Sequence, residues 1–264
     1  MSMKKRLERF WRGRTSEEAL ILAFIAVFAL FIVTGEIVFA VMVPILIILL
    51  ALPHDFTVKH LKYDIREIVI SFLLALAIWF ALSFVLNTAA PLDTVTSCSM
   101  LPALERGDLV VLYGGEPSAP MVNVSSTNEI MIQKQPCNAT IGNETKEIAC
   151  TTGIWVHNQL ITANLSNDVI VYVPAPGDKF AETGIIIHRV FARVNVSGKV
   201  YYFTKGDNNA AMDQEVGNAP VSEDRVHGKV ILRIPYLGFF KLLLFGQFSP
   251  PPGCDVKVWP SPQA

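Results

Sequence analysis

The run Val95–Tyr113, VTSCSMLPALERGDLVVLY, holds the residues best suited to covalent chemistry. Ser97 and Ser99 flank Cys98, Met100 and Pro102 follow, and a Gly107-Asp108 turn opens a β-branched strand. A hydroxyl is a poor nucleophile until a base takes its proton. The chain offers that base downstream: His188 lies in GIIIHRV (184–190), and Asp207 and Asp213 lie in and just after TKGDNN (204–209). A neutral imidazole can accept the proton and later return it to a leaving amine, while a carboxylate holds its other nitrogen. Plainer explanations exist for each piece. The 95–102 run has the composition of any helix-to-strand junction, a lone His in IIIHRV can be a core residue, and GDNN can be a turn that satisfies its own backbone. Lys205 is a rival base. His157 and His227 lack such companions.

The elements that must position these residues divide the chain in two. Of its 264 residues, 52% are hydrophobic and only 17% charged, and the apolar excess lies in the first third. Net charge is −1 with no basic stripe, which excludes nucleic acid as an expected partner. A basic start, MSMKKRLERFWRGR, precedes an apolar run over 19–52 broken at Thr34-Gly35-Glu36; a second basic stretch around Lys59, Lys62 and Arg66 precedes another apolar run. Lysine and arginine mark the cytoplasmic side, so both basic stretches face inward only if 19–52 crosses out and back. Residues 1–88 are therefore expected to form a membrane anchor of about three transmembrane helices, 19–34, 36–52 and 68–87. Everything after Asn87 then lies on the extracytoplasmic face. Two features agree with an exterior location. Asn-x-Ser/Thr sequons begin at Asn123, Asn138, Asn143, Asn164 and Asn195. Cys137 and Cys150 could close a short disulfide loop, or remain two thiols. Cys98 and Cys254 have no obvious mates, and the cysteines lack zinc spacing.

Beyond the third span the texture becomes β: Leu109–Tyr113, Asp168–Val173, Ile185–Val196, Lys199–Thr204 and Val226–Ile234 are rich in Val, Ile, Tyr and Phe. Ser197-Gly198 reads as a hairpin turn. An extracytoplasmic β domain is expected over 89–236, with a turn-rich elaboration at about 114–167. Residues 237–264 are expected to be an apolar segment and tail. PYLGFFKLLLFGQF could rest in the bilayer interface with Lys241 reaching the headgroups, or pack on the β domain. The final SPPPGCDVKVWPSPQA looks extended.

Taken as an ordered set, Ser-x-Ser-Met-x-Pro, Gly-Asp before a hydrophobic strand, His-Arg-Val, and Lys-Gly-Asp-Asn-Asn with Asp213 beyond it resemble type I signal peptidases. A His in the second box is similar to the archaeal and endoplasmic-reticulum branch. One family glycine is replaced: Asn167-Asp168 stands where Gly-Asp usually opens a strand, and Asn tolerates positive φ. The resemblance implies N-terminal transmembrane α-helices followed by a mainly-β catalytic domain of signal-peptidase-like fold. It implies Ser99 as nucleophile, His188 as general base, Asp213 as third member and Asp207 as a supporting residue. Ser97 and the Ser99 amide would form the oxyanion hole. Val95, Thr96, Cys98, Met100, Ile186 and Ile187 would bind an extended substrate, with Met100 pressing on the membrane surface. No metal or other cofactor is implied.

The expected partners are signal peptides of secretory preproteins cut after small-x-small, the lipid bilayer and the secretion translocon; the expected location is an archaeal plasma membrane. Two other functions fit the same residues: a peptidase dedicated to a pilin-like or surface-protein precursor, and a catalytically silent membrane-anchored binding protein. An imidazole base is silenced by protonation, so cleavage is expected to decline as pH falls toward about 6. A pH–rate profile that stays flat down to pH 5 would exclude a histidine base.

Overall fold

The structure, a computed structural model, describes residues 58–259, without the side chains of 58–69, 71, 72 and 259. The expected spans 19–34 and 36–52 lie outside the described residues. The described residues divide into two units, 58–77 with 243–248 and 78–242 with 249–259, and every described strand lies in the second.

Helix α1, Val58–Val85, bridges the division and contains no glycine or proline. It stops at Asn87, whose φ of 50° is left-handed. The Thr88 N–H donates to Ser83 O (3.1 Å) and the Asn87 N–H to Phe84 O (3.3 Å). These are the two reversed bonds of a Schellman stop, which satisfy the last helical carbonyls. Among the described residues no helix is long and apolar enough to cross a membrane. Apart from the half-buried Ser83, the described side chains of α1 are apolar and exposed, with Phe84 88% accessible and Leu73, Phe80 and Val85 also exposed.

The core of the second unit is an eight-stranded sheet. Strands β1 (Leu92–Thr94), β2 (Leu109–Tyr113), β7 (Val169–Tyr172), β8 (Ile186–Val196), β9 (Lys199–Lys205), β10 (Val221–Ser222) and β11 (Val226–Ile234) order as β1-β2-β11-β7-β8-β9-β10. Strand β3 (Met121–Val124) joins beside β8 in parallel. Strand β7, VIVY, is buried at all four positions between β11 and β8, which explains its unbroken apolar sequence. The five expected strands occur at these positions, with ends shifted by a residue at most. Ser197 (φ 51°) and Gly198 (φ 86°) are both left-handed between β8 and β9, the pattern of a tight hairpin turn.

The 114–167 stretch holds more order than its turn-rich composition suggests. Besides β3 it contains β4 (Met131–Ile141), β5 (Glu144–Val156) and β6 (Gln159–Thr162). These pair with β12 (Val256–Trp259) in a second sheet, β12-β4-β5-β6. The C-terminal stretch expected to be merely extended thus supplies an edge strand. Both cysteine pairs are disulfides: Cys137–Cys150 joins β4 to β5, and Cys98–Cys254 links the serine-bearing turn to the tail. The second pairing corrects the view that Cys98 and Cys254 lack mates; 156 residues separate them, and only the docking of β12 brings them together.

Two further expectations change. Asn167 does not adopt positive φ. It is buried, and its side-chain amide donates to the Val190 carbonyl (2.9 Å) and the Phe191 carbonyl (3.3 Å), where the β8–β9 register shifts. The Asn therefore replaces a glycine by bonding a bulge, not by mimicking its backbone. Helix α2, Phe239–Leu244, leaves Phe240 exposed, but Lys241 does not point away: its Nζ bonds Asp93 Oδ1 at 2.9 Å. If Asn167 acts through its amide, Asn167→Gly should destabilise the fold by about 1–3 kcal/mol, the cost of leaving buried carbonyls unbonded. A chemical-denaturation midpoint equal to wild type would show that the amide is dispensable.

Candidate active site

Ser99 sits in the turn after β1, and backbone pairing fixes that turn from below. The Val95 N–H donates to Asp108 O (2.9 Å), and the Gly107 N–H donates to Val95 O (2.8 Å). Gly107 has φ 91°, and a Cβ there would fall 2.2 Å from the Phe239 ring. Asp108 is wholly buried, its Oδ2 accepting from the Glu105 N–H (2.7 Å) and ion-paired with the Arg233 guanidinium (2.5 Å). The Gly-Asp pair thus anchors the loop whose far end carries the serine.

His188 comes from near the start of β8, opposite Ile170 of β7, and is 4% exposed. Its Nε2 lies 3.0 Å from Ser99 Oγ, and its Nδ1 lies 2.7 Å from Asp213 Oδ2. Asp213 is 1% exposed and opens a short 3₁₀ turn, Asp213–Val216, beyond β9. The same Oδ2 accepts from Tyr172 of β7 (2.9 Å) and Thr204 of β9 (2.6 Å). Three adjacent strands therefore converge on one carboxylate oxygen. Burial, then the neighbouring Asp213 charge, push the Tyr172 phenol far above the ordinary tyrosine range. It remains an O–H donor wherever the protein works. Three side chains thus fix the position of Oδ2 against the imidazole, the arrangement in which a carboxylate orients the ring and balances positive charge on it during proton transfer.

Asp207 lies apart from the imidazole. Its carboxylate takes two bonds from Arg189, Nε to Oδ1 (2.8 Å) and Nη2 to Oδ2 (2.7 Å). Arg189 also donates to the carbonyls of Leu165 and Asn167. A half-buried, bidentate pair of this kind locks the 206–209 loop to the residue after His188. Lys205 is buried on β9; desolvation pulls its ammonium below the usual lysine range, and Nζ donates to Gly206 O (3.2 Å). Ser99 Oγ is bonded instead by His188 and by Ser97 Oγ, the latter at 3.1 Å. Among the described residues no His, Cys, Asp and Glu cluster is shaped for a metal ion.

The expected substrate-contacting residues separate into groups. Thr96 is exposed and Cys98 half-buried in its disulfide. Val95 and Met100 are 2% and 1% exposed, packed with Leu104, Val110, Leu112, Val169 and Val171. Met100 therefore does not press on a membrane surface; its side chain is the core under the turn. Ile187 packs on this same cluster, whereas Ile186 packs on the opposite one with Tyr172 and Val190, as strand alternation requires. Over Ser99 lies a cleft of about 430 Å³, whose lining includes Ser97, Phe180, Ala210, Asp213 and Val256.

Sequence inspection overlooked Tyr172 and Thr204, because each stands in an apolar strand and reads as core. Their polar atoms on strands that flank β8 were the available signal. Removing either hydroxyl leaves Asp213 one donor short. Tyr172→Phe and Thr204→Val are each expected to lower kcat about tenfold, equivalent to the ~1.5 kcal/mol of one hydrogen bond to a charged group. Unchanged kcat in the double variant would show that the two hydroxyls do not orient the aspartate.

No protein-family model matches the chain. It is similar to signal peptidase complex catalytic subunits SEC11 of fungi. The Coccidioides posadasii protein is 26% identical over 168 residues, covering 62% of this chain and 71% of the relative. The Schizosaccharomyces pombe protein is 29% identical over 171 residues with the same coverage, and that of Ajellomyces capsulatus is 32% identical over 120 residues, 41% of this chain and 60% of the relative. With a mainly-β domain that gathers Ser99, His188 and Asp213, the chain is similar to the catalytic subunits of signal peptidase complexes.

Proposed function

We propose that the protein is a membrane-anchored endopeptidase that removes signal peptides from exported preproteins after a small-x-small sequence, with Ser99 as nucleophile and His188 as general base. The observation that carries this is the continuous hydrogen-bond chain Ser99–His188–Asp213. In the forward step His188 Nε2 takes the hydroxyl proton as Ser99 Oγ bonds the scissile carbonyl carbon. The imidazolium, balanced by Asp213, then returns the proton to the departing amine nitrogen as the C–N bond breaks. Water, deprotonated by the same imidazole, hydrolyses the acyl-serine ester and restores the hydroxyl. The Ser99 amide and Ser97 hydroxyl are suited to receive the oxyanion. Ser97 already sits beside Ser99 Oγ, so a small rotation of its hydroxyl reaches the new charge.

The substrate would lie extended between residues 95–98 and 185–187 and pair with their backbones as an added strand. Residues 1–88 would anchor the domain on the extracytoplasmic side, a placement supported by the basic loops, the sequons and two disulfides in the outer part. The relatives are subunits of a signal peptidase complex, so partner subunits or a translocon would bring the substrate. The test is preprotein cleavage by full-length protein in proteoliposomes. Ser99→Ala and His188→Ala should each reduce turnover at least about 1,000-fold while insertion and circular dichroism stay unchanged. Cleavage retained in a folded Ser99→Ala sample would end the proposal.

A further inference from the structure

Ser99 is flanked by two peptide planes, and Asn208 holds both. The Asn208 main-chain N–H donates to the Ser99 carbonyl at 2.8 Å. Its side-chain Nδ2 donates to the Cys98 carbonyl at 3.2 Å and to the Val256 carbonyl at 2.8 Å, while Oδ1 accepts from the Val258 N–H at 2.9 Å. One buried side chain therefore bridges the serine turn and β12, the C-terminal edge strand that Cys254 tethers to Cys98. The approach is close: a Cβ on Gly206 would stand 2.7 Å from Ser99 O. Only glycine lets this loop lie against the serine backbone.

The geometry has a chemical consequence. In a trans peptide the carbonyl and N–H point in opposite directions. The Cys98 carbonyl accepts from Asn208 Nδ2 and from the Leu101 N–H (3.3 Å) within the turn; the Asn208 bond ties it to β12, and holding it fixes the direction of the Ser99 N–H, which has no acceptor among the described residues. That free N–H is the donor an oxyanion needs.

We propose that Asn208 is a positioning residue for the oxyanion site: braced against β12, it aims the Ser99 amide, so that the C-terminal strand is part of the catalytic apparatus. The inference rests on Ser99 being the nucleophile. It also explains why β12 sits at the cleft wall and why its chain is covalently linked to the residue before the serine.

The test uses full-length protein with three readouts: kcat and KM for a signal-peptide substrate, affinity for a peptide boronic acid, and affinity for the same peptide with its scissile amide reduced. The boronate places an oxygen in the oxyanion site; the reduced amide has no carbonyl and does not use it. Asn208→Ala should lower kcat and boronate affinity by about 10- to 100-fold, short of the loss of a whole oxyanion donor. KM and reduced-amide affinity should hold within about twofold. Val258→Pro deletes the donor that braces Asn208 from the side of β12 away from its ladder, where an edge strand tolerates proline. It should act in the same direction and add little to Asn208→Ala. Wild-type kcat and boronate affinity in a folded Asn208→Ala sample, or an equal loss of all three readouts, would overturn the inference. The Ser99→Ala control separates the levels: if it still cleaves, the nucleophile assignment falls first; if it is dead and Asn208→Ala is normal, only the role of Asn208 falls.

Discussion

The bond between His188 Nδ1 and Asp213 Oδ2 is the constraint on which the rest of the domain depends. Both groups are almost wholly removed from water, so neither can exchange its partner for solvent without a large cost. The ring must therefore be met on both sides by fixed protein groups. On one side stands the serine, delivered by a turn that Gly107 and Asp108 pin to β2. On the other stands a carboxylate oxygen crowded by the hydroxyls of Tyr172 and Thr204. The order β7-β8-β9 is what makes this possible, since residues on three neighbouring strands reach one point.

A second layer of ion pairs and tethers holds the two loops in register. Arg189 follows His188 on β8 and grips Asp207, while Asn208, next in sequence, grips the serine turn. Loop 206–209 is thus a clamp between β8 and the Ser99 turn. Asp207 acts there through Arg189, and of the two aspartates it is Asp213 that bonds the imidazole. Each grip is polar and buried, and breaking a buried ion pair from one side costs about 3–5 kcal/mol. Such contacts make the site rigid before substrate arrives, which is where electrostatic catalysis draws its advantage.

Much of this was legible from residue order alone. Leu109–Tyr113 and Val226–Ile234 are strands with the ends their composition suggested, and Ser197-Gly198 turns as such a pair should. The serine, histidine and aspartate were identifiable because they recur as an ordered set, although they are 89 and 25 residues apart. What escaped had no local signal. Strands β4 and β5 carry many polar side chains because one face is exposed, so their residues resemble loop. Strand β12 is four residues long among prolines and gains its order only by pairing with β4. The link Cys98–Cys254 follows from that pairing. Asn167 was legible as a substitution, but its purpose, bonding a bulge two strands of sequence away, lies in tertiary contact.

In the proposed reaction an acyl group passes through one hydroxyl, that of Ser99. Rapid quenching of full-length protein during turnover of an activated signal-peptide ester, followed by peptide mass spectrometry, measures this directly. An acyl adduct on Ser99, appearing before product and lost as product forms, is the predicted result. Full turnover with the adduct on another residue, or with none under conditions where deacylation is rate-limiting, would contradict it.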